Sequence, residues 1–216
     1  MWSLFSRDPS KDFAFEVNDA AQHLEGTFWT LHKGKKKVSV LLWICVYFRI
    51  LYSLSFVQAT GETVSVFRYE FKPNEESYLE AAKNAIKRLK TLRHPSILTY
   101  FDSLETEKYL LVVTEYVEPL HAHLENQSGL TTQQREFAIS WGVLAVSKGL
   151  CFLNSSSLIH GNLGLPSIFV NNAGDWKISN FEYLSHVDDS FPYKTYYNHK
   201  KYTPPELSDA NRKLHK

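Results

Sequence analysis

The stretch LIHGNLGLPSIFV, Leu158 to Val170, decides the fold: glycines and polar residues interrupt an apolar run at His160 to Gly164, and a strand-like IFV follows. Upstream, Thr131 to Leu153 carries Phe137, Trp141, Leu144, Val146 and Leu150 at spacings that predict a long helix with one apolar face. Downstream, SIFV and WKIS flank NNAGD, whose Asn, Gly and Asp favour a tight turn, so a hairpin is predicted. Towards the amino terminus, TVSVFRYEF, Thr63 to Phe71, alternates as a strand does. NEESYLEAAKNAIKRLKTL, Asn74 to Leu92, begins acidic, ends basic and places Leu79, Ala82, Ile86 and Leu89 at helical spacing. ILTYFDSLET and KYLLVVTEYV then predict an antiparallel pair. Sheet with one helix, followed by a mostly helical part, is an α+β chain.

The 216 residues, 44% hydrophobic and 22% charged, suffice for one or two domains with a real core. Lys and Arg number 24 against 23 Asp and Glu, so no net field recruits nucleic acid. Cys45 and Cys151 are far apart, which argues against a disulfide framework or a zinc site. Asn126 and Asn154 match the glycosylation pattern but are taken as plain polar residues. One segment is exceptional. VSVLLWICVYFRILYSLSFVQ, Val38 to Gln58, holds Arg49 as its only charge, is long enough to cross a bilayer, and follows Lys33, Lys35, Lys36 and Lys37. Lys33 to Lys37 itself reads as a solvated hairpin tip.

The order of elements and four short motifs fit one pattern. His160 opens a loop, Asn180-Phe181-Glu182 follows about twenty residues on, Pro204-Pro205-Glu206 closes the segment, and LKTLRHPSILTY, Leu89 to Tyr100, joins helix to strand. The chain resembles a protein kinase domain. That resemblance implies a bilobal fold, with a small antiparallel-sheet lobe and an incomplete helical lobe ending after the activation segment. The expected divisions are an amino-terminal extension over 1–28, the small lobe over 29–118 interrupted by 38–58, and a partial large lobe over 119–216.

Carried over residue by residue, the resemblance places Phe67 at the phosphate-gripping lysine and Ala85 at its glutamate partner. Asn162 takes the place of the catalytic Asp, and an amide has no useful basicity near neutral pH. Ser167 and Asn180 fall at the metal-binding Asn and Asp, Glu182 at the glycine of Asp-Phe-Gly, and Gly164 within the degenerate loop. Gly34 is the one glycine of LHKGKKK, assigned to the phosphate-covering loop. His160, Phe181 and Glu206 are kept, as packing positions. No catalytic, nucleotide-binding or metal-binding residue and no cofactor is expected.

The stretches MWSLFSRDPSKDFAFEV, GTFWTLHKGKKK, KRLKTLRHPSILTYFDSLETEKYLLVVTEYVEPL, ISWGV and SLIHGNL are together similar to the Scy-like pseudokinases, the N-terminal kinase-like proteins. The resemblance implies a cytoplasmic protein-interaction scaffold in Golgi-to-endoplasmic-reticulum traffic, meeting coat-protein or trafficking machinery through regions this chain lacks. Two rivals stand beside it. A weak or unconventional kinase would need Lys35, Lys36 or Lys72 as phosphate anchor, and a single-pass membrane protein would use 38–58, the only membrane contact foreseen. Removing Val38 to Gln58 leaves KKKATGETVSVF, a natural hairpin, so the insert reads first as a retained intron, then as an anchor or a true insertion. Ser190 to Thr203, with its tyrosines, is a phosphorylation target or an ordered activation segment. An incomplete large lobe would leave the Thr131 to Leu153 helix partly uncovered, so the isolated chain is expected to aggregate.

Overall fold

The computed structural model describes residues 10, 12–24, 26–37, 61–73, 75–127 and 129–189. Strands β1 (Phe15–His23), β2 (Thr30–Lys36), β3 (Thr63–Glu70), β4 (Tyr100–Glu105) and β5 (Tyr109–Glu115) form an antiparallel sheet in the order β1-β2-β3-β5-β4. Helix α1 (Glu76–Thr91) packs on it. Beyond the linker strand β6 (Val117–Pro119) come α2 (Leu120–Asn126), the long α3 (Thr132–Ser155), β7 (Leu158–Ile159), the hairpin β8 (Ile168–Asn171) and β9 (Trp176–Ile178), and β10 (Ser185–His186). This is the kinase-like arrangement: a small sheet lobe and the beginning of a helical one.

Period-two alternation explains why both faces of β3 are buried. Val64 and Val66 pack with Phe13, Phe15, Leu111 and Val113 on the outer face, whereas Phe67 and Tyr69 join the main core with α1. The outer cover comes from residues expected to form a separate extension. Within the expected 1–28 extension, Phe15 to His23 pair with β2, and Phe13 packs with the same sheet. Each free edge of the sheet is irregular: pairing shifts register between Val17 and Ala21 in β1 and between Tyr100 and Asp102 in β4.

Gly34 is corrected by the same pairing. It lies inside β2, opposite Val17 and Val64, and a Cβ there would stand 2.7 Å from the Glu16 carbonyl oxygen and 2.9 Å from Val66 Cγ2. Its smallness serves close strand packing, not a phosphate. The connection between β1 and β2 is 24–29, where Gly26 has φ 69. Lys33, Lys35 and Lys36 are exposed, but on a strand and not at a hairpin tip.

Helix α1 has Glu76 in its first turn and Arg88 and Lys90 in its last, matching the helix dipole, and buries Ala81, Ala82, Ile86 and Leu89. Arg93 donates to the Leu89 and Leu92 carbonyls at its end. Helix α3 begins with a capping box in which Thr131 and Gln134 satisfy each other's backbone N–H groups. Its packed face differs from the expected one. Gly142 and Gly149, with Val146, Leu150 and Leu153, meet the hairpin and the core, while Phe137, Trp141 and Leu144 are 73%, 58% and 45% exposed. Of the expected face Val146 and Leu150 are packed and Phe137, Trp141 and Leu144 are not, because the helix approaches β9 through its glycines. By length and composition α3 would also pass as a membrane span, yet that glycine face is packed on the hairpin.

The two lobes are tied at the linker. Ser65 Oγ accepts from the Val117 N–H at 2.9 Å and donates to its carbonyl at 3.1 Å, both buried. Glu115 accepts from the Thr99 N–H at 2.9 Å and from Asn171 Nδ2 at 3.1 Å. Lys177, nearly buried, donates to the Pro95 carbonyl at 2.7 Å. Ser65→Ala removes both Val117 bonds and leaves a buried N–H unpaired, so urea unfolding should report a loss of about 1–3 kcal/mol. An unchanged midpoint would mean that the linker relaxes around the alanine. The apolar insert 38–58, the tyrosine-rich 190–203 and Glu206 lie outside the described residues.

Candidate functional site

The places where phosphoryl-transfer groups would stand are brought together between α1, β3 and the segment after β9. Phe67 is buried, with its ring edge-on to Phe169 at 5.4 Å between centroids. Ala85 on α1, Val112 on β5 and Asn180, Phe181 and Glu182 close the same corner, leaving a cavity of about 20 Å³. That is room for about one water molecule, whereas ligand sites span hundreds of Å³. Among the described residues, no three His, Cys, Asp or Glu side chains gather as a metal set.

The loop after β7 is held by main-chain bonds. His160 Nε2–H donates to the Ser179 carbonyl at 2.9 Å, and its Nδ1 accepts the Asn162 N–H at 3.2 Å, a pair that fixes the neutral tautomer. Burial pushes the imidazole down to about 4, against the opposing pull of the Ser179 bond. Its ring also packs on Phe181 at 5.2 Å. Ser167 Oγ bonds Gly164, accepting its N–H at 3.0 Å and donating to its carbonyl at 2.8 Å, so the hydroxyl organises a short 3-10 turn at Leu165–Ser167. Asn180 adopts the left-handed conformation at φ 61, which Asn tolerates better than most residues, and donates to the Pro166 carbonyl at 3.0 Å. The side chains of His160, Ser167 and Asn180 therefore all bond main-chain groups.

The sign of the His160 contribution follows from its lowered pKa. The unfolded chain binds the extra proton below the usual value of 6.5, while the folded chain resists it until about 4. Folding strength contributed by His160 is present above pH 6.5 and declines as pH falls through that window, by about 1.4 kcal/mol per unit. Subtracting the pH profile of His160→Gln from that of the wild type isolates this slope. A difference that stays flat between pH 4 and 6.5 would count against a neutral buried imidazole.

Glu182 points inward and is fully enclosed. Its Oε1 accepts from Trp29 Nε1 at 2.6 Å, its Oε2 is buried without a hydrogen-bond partner, and its carbonyl accepts from Asn84 Nδ2 at 2.9 Å. Burial pushes the carboxyl up to about 7, against the pull of its own backbone and the Trp29 indole. Neither Trp29, Asn84 nor Ser65 was singled out by sequence. The signal available for Trp29 was general: a buried indole N–H needs an acceptor.

Asn162 faces a different depression, an open one of about 750 Å³ beside the 24–29 loop, shared with His23, Lys72, Glu75 and Tyr183. Of the three lysines considered as phosphate anchors, Lys72 borders this depression, whereas Lys35 and Lys36 do not. Acidic Asp19, Glu70 and Glu75 line it too, and Arg68 is paired with Glu70 at 2.7 Å, so its field does not favour a phosphate chain.

Comparison with known proteins adds an independent line. A family model described as protein kinase domain matches residues 54–216. The chain is 38% identical over 182 residues to the probable inactive serine/threonine-protein kinase scy1 of Dictyostelium discoideum, covering 83% of this chain and 19% of that protein. It is 28% identical over 164 residues to SCY1-like protein 2 of Homo sapiens, covering 63% of this chain and 17% of the other. It is also 33% identical over 133 residues to a Mus musculus protein named as associating with the carboxyl-terminal domain of ezrin, covering 61% and 16%. The chain thus spans about a fifth or less of the length of these relatives.

Proposed function

Since the chain belongs to the protein kinase family, as a Scy-like kinase-like domain, we propose that it is a noncatalytic scaffold that works through protein contacts. The observation that carries this reading is Phe67. A lysine reaching for phosphates would need the volume that the Phe67 ring fills against Phe169. Ala85 offers no counter-charge, Asn162 no base, and Asn180 spends its amide on Pro166. The Dictyostelium relative is named as a probable inactive kinase and the mouse relative for an association with ezrin, which supports the same direction. By resemblance we place the activity in the cytoplasm at Golgi or ER-Golgi membranes, with coat or trafficking proteins as partners of the longer protein.

The test combines binding and turnover. Millimolar ATP with magnesium should leave the unfolding midpoint unchanged, and radiolabelled ATP should transfer no phosphate to the chain or to generic acceptor proteins. A magnesium-dependent rise in midpoint together with transfer abolished by Asn162→Ala would replace the scaffold with an unconventional kinase. Lys72 and Asn162 border the same open depression, which favours that second reading, so Lys72→Ala belongs in the same experiment.

A further inference from the structure

Glu182 is a buried acid in a place that makes no use of acidity for chemistry, and three separate elements meet on it. The 24–29 loop reaches it through the Trp29 indole at 2.6 Å, helix α1 through Asn84 at 2.9 Å, and the 3-10 turn Phe181–Tyr183 supplies the residue itself. One carboxyl oxygen is satisfied and the other is enclosed without a partner, beside an almost filled cavity. No other titratable side chain lines that cavity from β2, β3, β5, α1 or the segment after β9. The cations of β3 and central α1, Arg68, Lys83, Lys87 and Arg88, do not line it, and His160 turns its nitrogens to Ser179 and Asn162. An ionised carboxylate in such a place has no cation beside it, and the donors on it, its own backbone and the Trp29 indole, do not offset the loss of water.

We infer that Glu182 is the centre of a proton-dependent lock: the corner between loop, helix and turn stays closed around its carboxyl while that group is neutral, and ionisation of the enclosed group favours opening of the corner to water. The lock lies in the corner lined by Phe67 of β3 and Ala85 of α1, the positions where a kinase would place its lysine-glutamate pair. Here one residue does the joining without nucleotide, its carboxyl holding the Trp29 indole and its main-chain carbonyl holding Asn84 of α1. Burial sets the transition at about 7. The inference rests on a noncatalytic reading of this corner, yet it has its own readout.

The linkage has a definite sign. The folded state keeps a proton that the unfolded chain releases above its ordinary carboxyl value of 4.5, so stability falls as pH rises from there to about 7 and levels off beyond. His160 acts oppositely between about 4 and 6.5, so the two nearly cancel in the wild-type profile over the shared window. The experiment must therefore separate them.

The intact chain, carried in a mild non-ionic detergent that covers the exposed side of α3, is labelled with 15N in its tryptophans. The Trp29 indole signal, assigned by its loss in Trp29→Phe, should move with a midpoint near pH 7. In Glu182→Gln, which keeps an acceptor but no charge, it should stay still. Urea unfolding should show the wild-type to Glu182→Gln ratio of unfolding constants rising about tenfold per pH unit between 4.5 and 7. An indole signal indifferent to pH in the wild type, or one that still titrates in Glu182→Gln, overturns the lock. Should Glu182→Gln not fold, Trp29→Phe decides: losing the indole donor must move the destabilisation to higher pH, and an unmoved profile overturns it as well. Nucleotide binding, if found, would sink the scaffold reading while leaving these titrations intact.

Discussion

Gly142→Ala should cost about 3 kcal/mol of stability and detach α3 from the β8-β9 hairpin. Elsewhere in a helix the same change gains about 1 kcal/mol, because alanine has less backbone freedom to lose. Here the added Cβ would stand 2.1 and 2.2 Å from Trp176 Cε2 and Cδ2. An indole is a rigid plate, so neither it nor the methyl group yields without moving the hairpin. Trp176 is buried with Leu120, Ile168 and Val170, and displacing it opens that cluster. Urea unfolding of Gly142→Ala, Trp176→Leu and the double variant forms a cycle in which the second change should relieve much of the first. A stabilising or neutral Gly142→Ala would refute the close packing.

Phe67→Ala should be of similar size, about 3–5 kcal/mol, since it removes a ring from a fully packed core and the surroundings collapse only in part. Its interest lies in what it does not do. Emptying the place of the missing lysine enlarges the corner near Asn180 and Glu182, yet supplies no cation, so magnesium-ATP should not restore the lost stability. Thermal unfolding with and without nucleotide checks both statements. A nucleotide-dependent rescue would show that Phe67 merely blocks a site that is otherwise intact.

The fold was legible in sequence where a single periodicity dominates. The β3 alternation, the graded charges of α1 and the turn around Gly174, where Asn171 Oδ1 accepts from the Ala173 and Asp175 N–H groups, are all local effects. Gly34 misled because a glycine in a basic run looks like loop chemistry, whereas its reason is the approach of two strands distant in sequence. The α3 face misled for a related reason: contact through glycine leaves no hydrophobic mark. At the site, Phe67, Ala85, Asn180, Phe181 and Glu182, the positions that the kinase resemblance named, line one corner. What joins them did not show, because Trp29 and Glu182 are 153 residues apart and neither requires the other locally.

The irregular pairing at Val17-Ala21 and Tyr100-Asp102 governs how other chains can meet this lobe. A straight outer strand presents a row of unpaired amides that any extended peptide can zip onto, the route to strand exchange and fibrils. A register shift in each outer strand interrupts such a row among the described residues, which disfavours growth of the lobe by one more strand.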